Sequence, residues 1–239
     1  MKKNPLRILA IETSSELASA ALLNGTEITL RRTDGVTNHS AAILPMLQSL
    51  LTEAGIRLAD CDAIAYGSGP GSFTGVRTAC GVVQGLAFGA GLPVIPVVTL
   101  LAMAEACRGN SGAVDVLTVL DARMGEVYWA QYHFDDASGA WQTRIEPTLS
   151  APALIAPMVV AGLHLVGNGF IAYADKFVLP AELLSLAETA LPCADAIVRL
   201  AVQAFAAGAV LNAEQAQPLY LRNKIALTIA ERAAVAASI

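Results

Sequence analysis

Apolar and polar positions alternate between two periods along this chain, and the changes of period mark its elements. Residues 7–13 (RILAIET) and 18–24 are almost continuously apolar, which predicts buried strands. Asn24–Gly25 is a two-residue hairpin signal, so residues 27–32 should pair back as a third strand. The spacing then becomes helical. Between residues 40 and 54 the apolar positions are 43, 44, 47, 50, 51 and 54, and Gly55 is a natural stop. Pro45 conflicts with a helix that begins at Ser40, so a later start or a bent first turn is expected. A strand at 63–68, a glycine-rich loop, a helix at 75–90, a strand at 94–98 and a short helix at 99–107 follow. The second half repeats the order. Strands are predicted at 114–121 and 127–134 around a turn at 123–126, with a third strand at 141–147. A helix near 153–160, a strand at 164–167 and a helix from Phe170 complete it. Residues 194–207 read as a late helix, 212–223 as a polar connection, and 226–237 as a terminal helix.

Both halves therefore read β-β-β-α-β-α, although they share negligible sequence identity. The expected fold class is α/β with two duplicated lobes, residues 1–107 and 108–225. The terminal helix at about 226–239 is a candidate to return to the first lobe.

Composition narrows the picture. Of 239 residues, 55% are hydrophobic and 15% charged, which excludes a disordered or solvating chain. The formal net charge is −5 and the lysines are only Lys2, Lys3, Lys176 and Lys224, so broad nucleic-acid binding by this chain alone is disfavoured. Cys61, Cys80, Cys107 and Cys193 form no CxxC pair and suit the thiols of a reducing cytoplasm. Residues 78–104 and 147–174 carry no formal charge and are long enough to span a bilayer. Glycine and proline interrupt both runs, which suits buried helix–turn–strand units better than membrane spans. Glu12 cuts the first apolar stretch too short for a signal peptide. The expectation is a soluble, cytoplasmic protein with no membrane partner.

Residues 67–77, GSGPGSFTGVR, raise the question of phosphate binding. A Walker loop needs Gly-Lys at its end, but Val76 follows Gly75 and no lysine lies between Lys3 and Lys176. Glycines at 67, 69, 71 and 75 fit no GxGxxG register, and neither Ser68 nor Ser72 makes a GxSxG elbow. Two readings remain: a helix start that touches an anion with help from Arg77, or a bend that lets helix and sheet approach closely. The residues favour the bend. In helix 75–90 the long polar side chains are Arg77 and Gln84, on one face, while Gly81, Gly85 and Gly89 make a flat stripe. Helix 40–54 is similarly rich in apolar positions. Two neighbouring helices with surplus apolar surface suggest a protein–protein interface, the alternative being cover from within the chain. Glu12 and Asp121 close the first strand of each half, as acid/base or Mg²⁺-linked carboxylates or as acids that order a turn. His39, His133 and His164 show no metal-ligand spacing.

A meander followed by a crossover helix, used twice, resembles the two-lobed actin and sugar-kinase plan. There the first hairpin of each lobe aims an acid and hydroxyls at nucleotide phosphates, and here those hairpins are 11–15 and 120–125. More specifically, ILAIETSS (8–15), NHSAAILPML (38–47), GSGPGSFTGVRTACGVVQGLA (67–87), GLPVIPVVTL (91–100), VLDARMGEVYWAQY (119–132) and PLYLRNKIA (218–226) resemble the bacterial TsaB family, also called YeaZ. The resemblance covers essentially the whole chain. It implies a non-catalytic partner in making tRNA N6-threonylcarbamoyladenosine. The implied partners are a TsaD-type transferase and a TsaE-type ATPase, with a homodimer when alone and tRNA reached only through the complex. It further implies an interface on the first two helices, with Leu44, Leu47 and Leu51 on one and Ala79, Val82, Val83 and Leu86 on the other. Glu12, Thr13, Ser14, Gly69, Gly71, Ser72, Arg77 and Asp121 are candidate vestigial contacts to nucleotide or phosphate. TsaD-type proteins carry an HxxxH metal pair where residues 98–104 here read VTLLAMA, so no metal ligand is expected. No cofactor of its own is expected either, ATP or ADP being candidates only near the interface with partners. The alternative is a stand-alone actin-like ATPase or phosphotransferase using Glu12 and Asp121.

Overall fold

The computed structural model describes residues 5–33 and 39–222. The expected terminal helix lies outside the described residues, as do Lys2, Lys3 and Lys224. The first sheet has the order β3-β2-β1-β4-β5. Its strands are β1 (Arg7–Glu12), β2 (Ser19–Asn24), β3 (Glu27–Arg32), β4 (Ala63–Gly69) and β5 (Val94–Val98). β1 lies at the centre, antiparallel to β2 and parallel to β4. Its unbroken apolar run follows from burial on both faces. Leu9 and Ile11 point to a core shared with Ile43, Leu47 and Leu50, and Ile8 and Ala10 point to the opposite face.

Helices α1 (His39–Glu53) and α2 (Phe73–Ala90) cover the Leu9 face. α1 carries Pro45 within its span, so of the two expected outcomes the later start does not occur. Pro45 and Ala41 are both exposed, so the carbonyl deprived of its partner lies at the solvent side. α2 begins two residues earlier than predicted because the Ser72 hydroxyl accepts the Gly75 N–H and caps its first turn. Gly91, at φ 67°, closes it with a left-handed cap.

α3 (Thr99–Ser111) leads into the second sheet, whose order is β8-β7-β6-β9. Its strands are β6 (Asp115–Asp121), β7 (Val127–Asp135), β8 (Ala140–Ser150) and β9 (His164–Val166). The two-lobed α/β architecture is present, but the second lobe departs from the predicted elements. Only a 3-10 turn, Pro152–Leu154, forms where a helix was expected at 153–160. Pro157 and Gly162 interrupt that stretch and outweigh its apolar spacing. The helix expected from Phe170 is a single turn, α4 (Gly169–Ala172), followed later by the equally short α5 (Ala181–Leu184). A lone parallel bridge, Val166 to Glu188, takes the place that β5 fills in the first sheet. α6 (Ala194–Ala206) then returns to the first lobe, where Ile197, Val198 and Ala201 pack on the Ile8 face. Among the described residues no helix is long and apolar enough to cross a membrane.

Candidate functional site

The glycine loop is a joint with no spare room. A β-carbon on Gly75 would lie 1.9 Å from the Thr13 carbonyl oxygen, and one on Gly71 would lie 2.4 Å from that of Ser14. Ser72 N–H donates to the Ser14 carbonyl at 2.7 Å, and the Thr13 hydroxyl donates to the Gly75 carbonyl at 2.7 Å. Gly67 leaves space for the Glu12 carboxyl, since a β-carbon there would sit 1.9 Å from Oε2. The start of α2 is thus locked onto the turn that follows β1. Glu12 is fully buried, and burial pushes its pKa above the ordinary carboxyl value despite the Ser14 N–H that it accepts.

Between the lobes lies a cleft of about 510 Å³. Ser14, Glu16, Gly71 and Ser72 line it from the first lobe; Asp121, Arg123 and Asn168 line it from the second. Of the eight candidate phosphate contacts, the cleft gathers Ser14, Gly71, Ser72 and Asp121. Glu12 and Thr13 are buried beneath the turn, and Gly69 lies at the end of β4, packed against Leu219. Arg77 turns aside: its guanidinium lies 3.5 Å from the centroid of the Phe73 ring and donates to the Tyr220 hydroxyl at 2.6 Å. Asp121 already has partners of its own. Its Oδ1 accepts the Arg123 N–H at 2.7 Å and the Tyr173 hydroxyl at 2.9 Å, and the Arg123 guanidinium stands 3.2 Å from Oδ2. These are the contacts of an acid that orders a turn.

The second surface is the outer face of α1 and α2. Leu47, Leu51, Ala79 and Val83 belong to the core of the first lobe, not to an outward face. The rotation expected for these helices is corrected accordingly: the side that carries Leu47, Leu51, Ala79 and Val83 covers the sheet, and the side that carries Gly81, Gly85 and Phe88 looks out. Val82 and Leu86 are half-buried and pack against the same core. Of the seven expected interface residues Leu44 alone is exposed, at 50%. Part of the surplus on α2 is covered from within the chain. Ala216 joins the core, and its carbonyl accepts Cys80 Sγ and Gln84 Nε2. Among the described residues the face left bare carries Gly81, Gly85 and Gly89, where added β-carbons would meet nothing within 4 Å, and Phe88, 81% exposed. Phe88 was missed in the sequence, yet it follows Gly85 by three and Gly81 by seven, on the very stripe that the glycines mark.

The TsaD family model, described as tRNA N6-adenosine threonylcarbamoyltransferase, matches residues 28–228. The TsaB protein of Escherichia coli K12, a tRNA threonylcarbamoyladenosine biosynthesis protein, is 42% identical over 224 residues, covering 92% of this chain and 96% of its own. The chain belongs to the TsaB family. TsaB of Haemophilus influenzae Rd is 37% identical over 92% of this chain and 95% of its own. YeaZ from Pseudomonas aeruginosa superposes with a TM-score of 0.83 at 37% identity, over 90% of this chain and all of that one. A second Pseudomonas aeruginosa structure, described as similar to peptidase YeaZ, gives 0.84 at 37% identity over 91% of this chain and all of its own. In this TsaB-family chain the VTLLAMA segment opens α3, with Leu100, Met103 and Ala104 buried in the core between α3 and the second sheet. Among the described residues no group of three or more His, Cys, Asp or Glu is placed to hold a metal ion.

Proposed function

We propose that this chain is a non-catalytic docking subunit of the bacterial machinery that makes N6-threonylcarbamoyladenosine in tRNA. It pairs with a TsaD-type transferase through the outer face of α1 and α2, and through the same face with a second copy when alone. A TsaE-type ATPase docks on the transferase pair, tRNA is reached only through the complex, and the setting is the cytoplasm. ATP or ADP belongs near the interface with those partners.

The observation that carries this reading is the bare face of α2. Three glycines at i, i+4 and i+8 let a second helix come flush against its backbone, Phe88 stands on the same stripe, and Leu44 is an exposed apolar side chain on α1. The cleft supports the absence of chemistry by this chain alone, because Asp121 is engaged by its own turn and Glu12 is buried. The decisive test is reconstitution. TsaD-type and TsaE-type partners, ATP, a threonylcarbamoyl donor and tRNA are combined with and without this chain, and modified adenosine is quantified. Product is expected to require the chain, while the chain alone makes none and hydrolyses no ATP. Equal product without it, or ATP turnover by it alone, would overturn the reading and direct attention to Glu12 and Asp121.

A further inference from the structure

The segment 216–222 takes a route that neither the joint nor the bare helix face explains. It runs along the first lobe and ends on the second. Gln217 is tied to the sheet through Tyr66, whose hydroxyl accepts the Gln217 N–H at 3.0 Å and donates to its carbonyl at 3.2 Å. Leu219 N–H donates to the Ser68 carbonyl at 2.7 Å, and Tyr220 meets Arg77 and the Phe73 ring on α2. A β-carbon on Gly69, at φ 109°, would come 3.0 Å from the Leu219 carbonyl oxygen, so that glycine admits the segment. Residues 219–222 then form one wall of the interlobe cleft.

At Arg222 the segment crosses over. Its guanidinium donates to the Glu126 carboxylate and, at 3.4 Å, to the Arg123 carbonyl, and it touches the Met124 sulfur. The turn that it holds is backbone-strained: Arg123 and Met124 have φ 62° and 58°, and Gly125 follows at 78°. Two consecutive non-glycine residues in the left-handed region need outside support. The back of the two lobes is joined differently. Trp141 packs against the cores of both lobes and donates to Glu105 on α3 at 2.8 Å. At the front two polar ties are partly open to water, Arg222 to Glu126 and Asn168 Nδ2 at 3.4 Å from the Glu16 carboxylate, and Leu221 beside them packs on the core between α3 and the second sheet.

We propose that segment 216–222 is a latch on the interlobe cleft, pivoting at the apolar back and caught at the front by Arg222. Engaged, it holds the left-handed turn and sets the width of the cleft. Released, it frees the second lobe to swing and the turn to relax.

The test uses the full chain and needs no partner. Hydrogen exchange is followed by mass spectrometry on peptides spanning 118–128 and 216–222, and small-angle X-ray scattering reports the separation of the lobes. Arg222→Gln should accelerate exchange in the 122–126 turn about tenfold and increase the radius of gyration, the far-ultraviolet spectrum staying native. The charge-reversed pair Arg222→Glu with Glu126→Arg should move both readouts back toward wild type, because the ion pair is restored with its sign exchanged. If Arg222→Gln does not fold, Glu126→Gln, which alters the more exposed partner, gives the same two readouts. Exchange in the turn and a radius indistinguishable from wild type in a folded single variant would overturn the latch. So would a reversed pair that exchanges as fast as the single variants.

Discussion

One added methyl group, placed at two glycines of the same helix, should move stability in opposite directions. A β-carbon on Gly75 would come 1.9 Å from the Thr13 carbonyl oxygen and 2.9 Å from its carbon. Both are backbone atoms, and Thr13 is fully buried and bonded to Gly75 by its hydroxyl, so no rotamer change relieves the clash. Either α2 or the turn after β1 must shift, at a cost of about 1–3 kcal/mol for a forced fit. Alanine in place of glycine returns about 0.5–1 kcal/mol of helix propensity. Gly75→Ala should therefore lose up to about 2.5 kcal/mol and melt as much as roughly 10 °C lower for a chain of this size. At Gly85 a β-carbon meets nothing within 4 Å, and only the propensity gain remains. Gly85→Ala should melt roughly 1–4 °C higher. Thermal and urea unfolding, followed by circular dichroism at two protein concentrations, separates this intrinsic gain from any change in self-association through α2. A Gly75→Ala variant that melts at or above the parent would refute the account of the loop as a joint.

The same helix predicts a division between folding and docking: Val83→Asp places a charge in the core and should abolish cooperative unfolding, whereas Phe88→Asp should leave the melt within about 0.5 kcal/mol of the parent. Titration calorimetry with a TsaD-type partner should then show Phe88→Asp weakened by about thirtyfold or more, and full affinity would show that α2 is not the docking face. Glu12→Gln should remove a pH dependence. Burial raises the folded-state pKa of Glu12, so the folded chain retains a proton that the unfolded chain releases. Wild-type stability from this group is present below the ordinary carboxyl pKa and is lost as pH rises toward the raised value. The stability of Glu12→Gln relative to wild type should therefore increase from acid toward neutral pH in urea titrations, and a constant difference would count against a raised pKa.

Much of the fold was legible because its first lobe obeys simple periods. The RILAIET run, the Asn24–Gly25 turn and the 3.6-residue spacing of α1 each announced the observed element. The second lobe was less legible. Its covering segments, 151–163 and 170–187, pack Ile155, Leu163, Phe170 and Phe177 on the sheet with no helix longer than four residues, so apolar spacing there suggested longer elements than form. The interface residues followed from the family resemblance, with the outward face of the helices inferred, and burial of large apolar side chains is what draws Leu47 and Val83 into the core. The better signal was the glycine stripe, since residues without side chains sit on α2 where none of the described residues packs within 4 Å of an added β-carbon. Arg222, Asn168 and Glu16 meet at the cleft only through tertiary folding, and no local pattern connects residues that far apart in sequence.

The position of α6 bears on how this protein is made. The face of the first sheet formed by Ile8, Ala10, Ala21 and Leu23 is covered by a helix synthesised after all the strands of the second lobe. During vectorial synthesis α3 can cover part of that apolar face through Ala102, and the rest must wait, uncovered, until residues 194–206 have emerged. A nascent chain stalled at residue 150 would hold the whole first sheet and still lack the cover of Ile197, Val198 and Ala201. The lobes are thus two units of architecture and one unit of folding, and a split between them should yield a fragment that chaperones retain.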